Sequence, residues 1–344
     1  MKEMSMTKKI LCIILINSAS IMLILYGFEF FFSPYSDLPV NGYVKGERCT
    51  WGHVVKNNKY GFRERNFETP KPEGVYRIMV LGDSLTWGAG LAIEERYTAL
   101  TENMLNQAFD DRRFEVLNFG IAGGPTVKER DILLKFKNIV QPDLIVVGFC
   151  LNDPQPKEQN YSVERDQLRK SPTGSVIHII TDLMRRAKLS YLSGLISDAF
   201  YSFAEKNGSI PTWRDAIART YNPQSAEWQE FISALETIKN TSDELSLSAP
   251  IFAILNQGTF PDRPTDYSNP DEYLTQYLEW YHQAEKAAQN IGFLSYNHEY
   301  EIIHQLKNHI LAVNILDGHP SAGLNRIYAE KLFSVITEKI IQQP

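Results

Sequence analysis

Two kinds of hydrophobic spacing alternate along most of the chain. Short, nearly unbroken apolar runs, "RIMVLG" from Arg77, "FEVLNFG" from Phe114, "PDLIVVGFC" from Pro142 and "PIFAILNQ" from Pro250, have the character of strands buried on both faces. Between them lie longer segments whose apolar positions recur at helical spacing: "RYTALTENMLNQAF", "VKERDILLKFKNIV", "SAEWQEFISALETIKNTSDEL" and "DEYLTQYLEWYHQAEKAAQNIG". A short strand is expected near "FLSYN" and a closing helix from Asn325 to about Ile341. Strand and helix in alternation predict an α/β fold, a three-layer sandwich whose mainly parallel sheet carries helices on both faces. The alternation breaks between residues 154 and 211, where the pattern is helical without a strand. This segment is expected to be a helical insertion over the carboxyl edge of the sheet.

The amino terminus follows a third pattern. Ile10 to Phe32 is apolar with Glu29 as its only charge, and it follows Lys2, Lys8 and Lys9. At ~1.5 Å per helical residue it is long enough to cross a hydrocarbon core of ~30 Å. The lysines predict a cytoplasmic amino terminus and an extracytoplasmic remainder. The rival is a cleaved signal peptide with "NSAS" as its cleavage zone, but strongly apolar sequence continues beyond Ser20. The expected organisation is a cytoplasmic tail over 1–9, a transmembrane anchor over 10–32, a linker and lead-in over 33–74, and a catalytic-sized domain over 75–344.

Composition narrows the function classes. With 43% hydrophobic and 22% charged residues among 344, the chain can bury a full-sized core. A formal net charge of -6 and no basic stripe argue against a nucleic-acid partner. Cys12, Cys49 and Cys150 are too few and scattered for a disulfide framework or a zinc site, and read as small apolar fillers. His178 reads as a core histidine. His53, His282, His298, His304 and His309 lack metal-ligand spacing, so no catalytic metal and no cofactor are expected.

Four segments stand at strand ends or in loops: "GDS" at Gly82 to Ser84, "NFGIAGG" at Asn118 to Gly124, "GFCLND" at Gly148 to Asp153, and "DGHPSAG" at Asp317 to Gly323. A serine at a sheet's carboxyl edge lies where open α/β sheets bind ligands. Its hydroxyl needs a base, and His319, in a loop bearing Gly and Pro, is the best candidate of the seven histidines. Asp317, two residues away, is placed to hold the imidazole. An oxyanion needs preorganised donors, which the Gly123 backbone N–H and the Asn152 amide are suited to supply. Each has a plainer alternative: a helix cap for Ser84, a turn glycine for Gly123, a turn residue for Asn152 and a loop cap for Asp317.

Together the four segments resemble the sequence blocks of the SGNH, or GDSL-type, hydrolase superfamily from Arg77 to about Ile341, leaving out the insertion. The lead-in "NKYGFR" and "KPEGVYRIMVLGDSLTWG" resembles that of many members. The resemblance implies Ser84 as nucleophile, His319 as base, and an oxyanion hole of the Ser84 backbone, Gly123 and Asn152. Two departures matter: Asp83 of "GDSLTWG" resembles a packing and turn residue of the family rather than the triad acid, and the acid before the histidine is displaced. The family acid usually stands three residues before the histidine, where this chain has Leu316, and Asp317 stands two before. Either the loop is reshaped so that Asp317 reaches the imidazole, or a backbone carbonyl steadies His319.

The expected function is a membrane-anchored, extracytoplasmic serine esterase acting on acyl esters, O-acetyl groups on carbohydrate above all, with Trp87, Trp213 and Trp228 as candidate sugar platforms or, more plainly, as packing residues. The alternatives are an O-acyltransferase modifying a cell-surface polysaccharide and a non-catalytic envelope binding protein.

Overall fold

The structure, a computed structural model, describes residues 5–32, 41–44, 47–155, 161–257, 270–301, 311–314 and 317–338. His304, His309 and Leu316 lie outside the described residues. In chain order come α1 (Met6–Phe32), β1 (Asn41–Val44), β2 (Glu47–Thr50), β3 (His53–Val54), β4 (Val75–Gly82), α2 (Ser84–Trp87), α3 (Tyr97–Ala108), β5 (Arg113–Asn118), α4 (Thr126–Val140) and β6 (Leu144–Phe149). Then follow α5 (Tyr161–Lys170), α6 (Pro172–Arg186), α7 (Ser190–Lys206), α8 (Trp213–Thr220), α9 (Ala226–Glu244), β7 (Ile251–Ile254), α10 (Pro270–Ile291), β8 (Leu294–Tyr296), β9 (Ala312–Asn314), β10 (Asp317–Pro320) and α11 (Ala322–Ile336). They form two compact units, Met1–Val54 with Arg165–Ser209, and Val55–Glu164 with Ile210–Pro344.

The second unit is built on a five-stranded sheet in the order β5-β4-β6-β7-β8, parallel throughout. The chain moves from β4 to one side, then returns past it to build the other, so the strand order reverses at β4. Crevices outside such a reversal are where open α/β sheets hold ligands. Pleating sorts the side chains. Met79, Leu81, Leu117, Ile145, Val147 and Phe252 face a core completed by Leu133 and Phe136 of α4, Phe231 and Leu235 of α9 and Tyr281 of α10. Ile78, Val80, Val116, Val146 and Ile251 face the opposite core with Leu105 of α3 and Leu324, Tyr328 and Leu332 of α11. Two cores, one per face, make the three layers that the alternating pattern predicts. Each fully buried aliphatic side chain contributes about 1.5–3 kcal/mol to them.

A buried ion pair links two strands of this frame. Arg77 opposes Glu115 across β4 and β5, and its Nε and Nη2 donate to the Glu115 carboxylate at 2.8 and 2.6 Å while Nη1 donates to the Val140 carbonyl at 2.8 Å. The guanidinium's donors are thereby met, which is the condition for burying it. The closing helix starts three residues earlier than its apolar pattern suggests, because Ser321 accepts from the Leu324 N–H and caps it at Ala322.

The first unit contains α1, a small antiparallel sheet in the order β1-β2-β3, and helices from the 154–211 segment. The small sheet falls in what the hydrophobic pattern reads as linker, since its strands are two to four residues long and carry no sustained alternation. Within Met6–Phe31, α1 holds an 18-residue stretch of mean hydropathy 2.3 and is long and apolar enough to cross a membrane. Its one interior charge is satisfied. Glu29 is buried and accepts from the Tyr191 and Leu192 N–H groups at 2.7 and 3.0 Å, capping the start of α7. Tyr26 donates from Oη to the Ala187 carbonyl at 2.9 Å.

Candidate active site

β4 delivers Gly82, Asp83 and Ser84 to the carboxyl edge of the sheet at its point of reversal. Gly82 is required there by close approach: a Cβ would stand 2.1 Å from Thr86 Oγ1 and 2.9 Å from the Gly148 carbonyl. Asp83 is the N-cap of α2, accepting from the Leu85 N–H at 2.8 Å, so Ser84 occupies the first helical position rather than the cap. α2 is a single turn, so what it offers to negative charge near Ser84 is the N–H groups of that turn rather than the dipole of a long helix.

β9 and β10 form a separate antiparallel pair that brings the histidine to the serine. His319 Nε2 lies 2.8 Å from Ser84 Oγ. On the other side of the ring, Nδ1 is hydrogen-bonded to Asp317 Oδ1, which also accepts from the His319 backbone N–H at 3.0 Å. The two-residue spacing is thereby resolved. In a strand, residues i and i+2 share a face, so Asp317 and His319 point the same way, and one carboxylate oxygen bonds both the ring and the backbone nitrogen. Burial works to lower the His319 pKa, but the charge and hydrogen bond of Asp317, with the charge of Asp83, outweigh it and leave the imidazole above its ordinary 6.5.

Two further segments converge on this edge. The β5 exit continues the ladder beside β4, with Phe119 N–H donating to the Val80 carbonyl at 2.8 Å and Ile121 N–H to the Gly82 carbonyl at 2.9 Å. Gly123 follows two residues later at φ +71°, with open space where a side chain would be. After β6, Asp153 closes a tight turn by accepting from the Cys150 N–H at 2.8 Å, and Asn152 Nδ2 points to Asp83 Oδ2 at 3.3 Å. The one Cys150 thiol proton is shared between Asn152 Oδ1 at 2.6 Å and Asp83 Oδ2 at 3.0 Å. Asn152 Nδ2 carries two N–H groups, and the contact with Asp83 engages one of them. Cys150 is more than the apolar filler its position suggested.

Beneath the serine lies a group of buried acids that the sequence reading did not assemble. Burial first, then Asp83, pushes Glu129 well above the ordinary carboxylate range. Burial, then the charges of Glu129 and Asp83, does the same to Asp153. Burial, with Asp83 and Asp153, likewise raises the Cys150 thiol, so it keeps the proton it donates. Asp83, Cys150 and Asp153 bring potential ligand atoms within 4.8 Å of one another, and hydrogen bonds already engage all three side chains. The signal for Glu129 was a charged residue at a core-facing position of α4.

The lead-in also serves the site. Arg63, fully enclosed, donates to the Gly88 and Leu91 carbonyls at 2.6 and 2.5 Å, and Arg96 Nη1 donates to the Arg63 carbonyl at 2.6 Å. This clamps the loop that follows α2. Gly88 is a left-handed cap against Arg96, and at Gly90 a Cβ would stand 2.6 Å from Val313 of β9. Trp87 and Trp228 are buried, with Trp228 packed on Tyr221 and Phe231, so packing is their role. His178 is exposed on α6 rather than in a core. His298 is buried beside the Ile254 carbonyl, and burial foremost lowers it to about 4.

The GDSL-like Lipase/Acylhydrolase family matches residues 80–323. The chain belongs to this family. It is an SGNH-type serine ester hydrolase. Among solved structures it is similar to Axe2, an acetylxylan esterase from Geobacillus stearothermophilus, at 14% identity over 76% of this chain and 94% of that one, with a TM-score of 0.42. It is similar to LAE5, an α/β hydrolase enzyme from the metagenome of Lake Arreo, Spain, at 14% identity over 76% and 95%, TM-score 0.44. It is also similar to TesA, at 12% identity over 76% and 97%, TM-score 0.43. No curated protein matches the chain. Ser84 and His319 both lie within the residues that this GDSL-like family matches.

Proposed function

We propose that this acyl ester hydrolase is a membrane-anchored, extracytoplasmic esterase that removes short acyl groups, O-acetyl above all, from carbohydrate. The observation that carries the chemistry is the continuous relay from Ser84 Oγ through His319 to Asp317. In it, His319 Nε2 takes the Ser84 proton as Oγ attacks the ester carbonyl carbon. The charge that develops on the carbonyl oxygen is met by the Ser84 and Gly123 N–H groups and by Asn152 Nδ2. Collapse breaks the bond to the alcohol oxygen, which leaves with the proton held by His319, and an acyl-serine remains. Water then gives a proton to His319 and attacks the acyl carbon, releasing the acid and restoring Ser84.

The placement rests on α1 with its lysines on the amino-terminal side. Outside the cytoplasm, coenzyme A thioesters are absent and esters of envelope glycans are at hand, which favours the carbohydrate reading. The tryptophans no longer support it, since burial removes Trp87 and Trp228 as platforms. The test uses full-length protein in detergent with acetyl, butyryl and octanoyl nitrophenyl esters and an acetylated polysaccharide. Acetate release from the glycan, abolished by Ser84→Ala, is expected. Ser84-dependent cleavage of the octanoyl ester alone would overturn the acetyl assignment, and equal rates for wild type and Ser84→Ala would overturn the site.

A further inference from the structure

We propose that α6 lies in the headgroup and upper acyl region of the bilayer, as a second membrane contact beside the span. The inference rests on the reading of α1 as a membrane anchor. On α6, Val176, Ile179, Ile180 and Leu183 are 55, 59, 43 and 59% exposed. Their i, i+3, i+4, i+7 spacing makes one continuous stripe. An amphipathic helix of a soluble protein turns such a stripe inward; here Gly174 and Thr181, on the opposite side, are the buried residues. The most apolar face of the helix therefore points away from the side on which α6 is buried.

Continuity with the span identifies what covers it. The loop between α6 and α7 is tied to the last turns of α1: Tyr26 Oη donates to the Ala187 carbonyl, and Glu29 caps α7 at Tyr191 and Leu192. These residues of α1 close the apolar segment, at the level where a span leaves the hydrocarbon. The carboxyl end of α6 is thereby fixed at that level, within the same compact unit. Arg185, Arg186 and Lys188 cluster at this end, as expected for a helix that meets lipid phosphates while its apolar face enters the acyl boundary.

The test uses the full chain in vesicles of phosphatidylcholine and phosphatidylglycerol, with and without brominated acyl chains. A thiol-reactive fluorophore is placed on native Cys12, which is exposed while Cys49 and Cys150 are buried. In a Cys12→Ser background it is placed instead on Ile179→Cys or His178→Cys. The proposal predicts bromolipid quenching at Ile179→Cys several-fold stronger than at His178→Cys and comparable to that at Cys12. Quenching at Cys12 with equal, weak quenching at both α6 positions would overturn the proposal and leave the anchor intact. A blue-shifted but unquenched label on Ile179→Cys would place that face against protein, a second copy or another chain, and would likewise overturn it. Absence of quenching at Cys12 as well would overturn the anchor reading and the proposal with it.

Discussion

The Asp317 carboxylate holds His319 through two nitrogens at once and raises its pKa above the ordinary value. A general base acts only when neutral, so kcat/KM is expected to rise with pH as His319 loses its proton, with the midpoint above 6.5. Asp317→Asn removes the main influence that raises this pKa, so the acid limb moves to lower pH. The same change lowers the plateau by about 10³- to 10⁴-fold. A pH–rate profile of both proteins checks the two effects, and an unmoved limb would mean that Asp317 does not govern the imidazole. Across the site, Asn152→Ala is expected to lower kcat by about 10²- to 10³-fold with little change in KM, as loss of one oxyanion donor does. Cys150→Ala leaves Asn152 Oδ1 without its thiol donor, and a smaller fall of roughly tenfold, again in kcat, is expected. Steady-state kinetics on one nitrophenyl ester separates these from a binding defect.

At the scale of elements, the site depends on how closely β9 and β10 pack against the loop after α2. Gly90→Ala would drive a Cβ into Val313 and displace the ribbon that carries His319. Activity should fall, and Val313→Ala in the same chain should restore part of it; additive losses in that double-mutant cycle would show that the two positions are not coupled. The sheet has its own weak point. Arg77→Met leaves the buried Glu115 carboxylate with only the exposed Arg113 guanidinium, at 3.2 Å, a loss expected to cost about 3 kcal/mol in denaturant unfolding, the low end for a broken buried pair. Much of this frame was legible in the sequence. Apolar runs such as Ile78 to Leu81 announce buried strands, and helical spacing announces α3, α4, α9 and α10, because burial on a sheet face or helix stripe leaves a period behind. That Ser84 and His319 would meet was legible from the segments that carry them, and the structure brings their side chains to 2.8 Å. The grip of Asp317 on His319 was not, since it depends on how a four-residue strand sets the carboxylate beside the ring. Nor were the buried group of Glu129, Asp153 and Cys150 or the clamp by Arg63, whose meaning depends on which elements meet.

For the whole molecule, the chain joins an apolar helix to an esterase fold, and its biological substrate depends on which side of the membrane that fold lies. A reporter enzyme active only outside the cytoplasm, fused after Pro344, should be active, and the protein should stay with the membrane after a high-salt wash, which releases only electrostatically held proteins. An inactive reporter would place the esterase in the cytoplasm, and an active reporter with soluble protein would indicate cleavage near Ser20. The central claim is chemical and has a more direct test. Full-length protein in detergent, treated with a fluorophosphonate and digested for mass spectrometry, should carry one adduct, on Ser84. That adduct should be absent from Ser84→Ala and form far more slowly in His319→Ala, where no base takes the hydroxyl proton. An adduct on a different serine, or labelling of Ser84 at an equal rate without His319, would contradict the account.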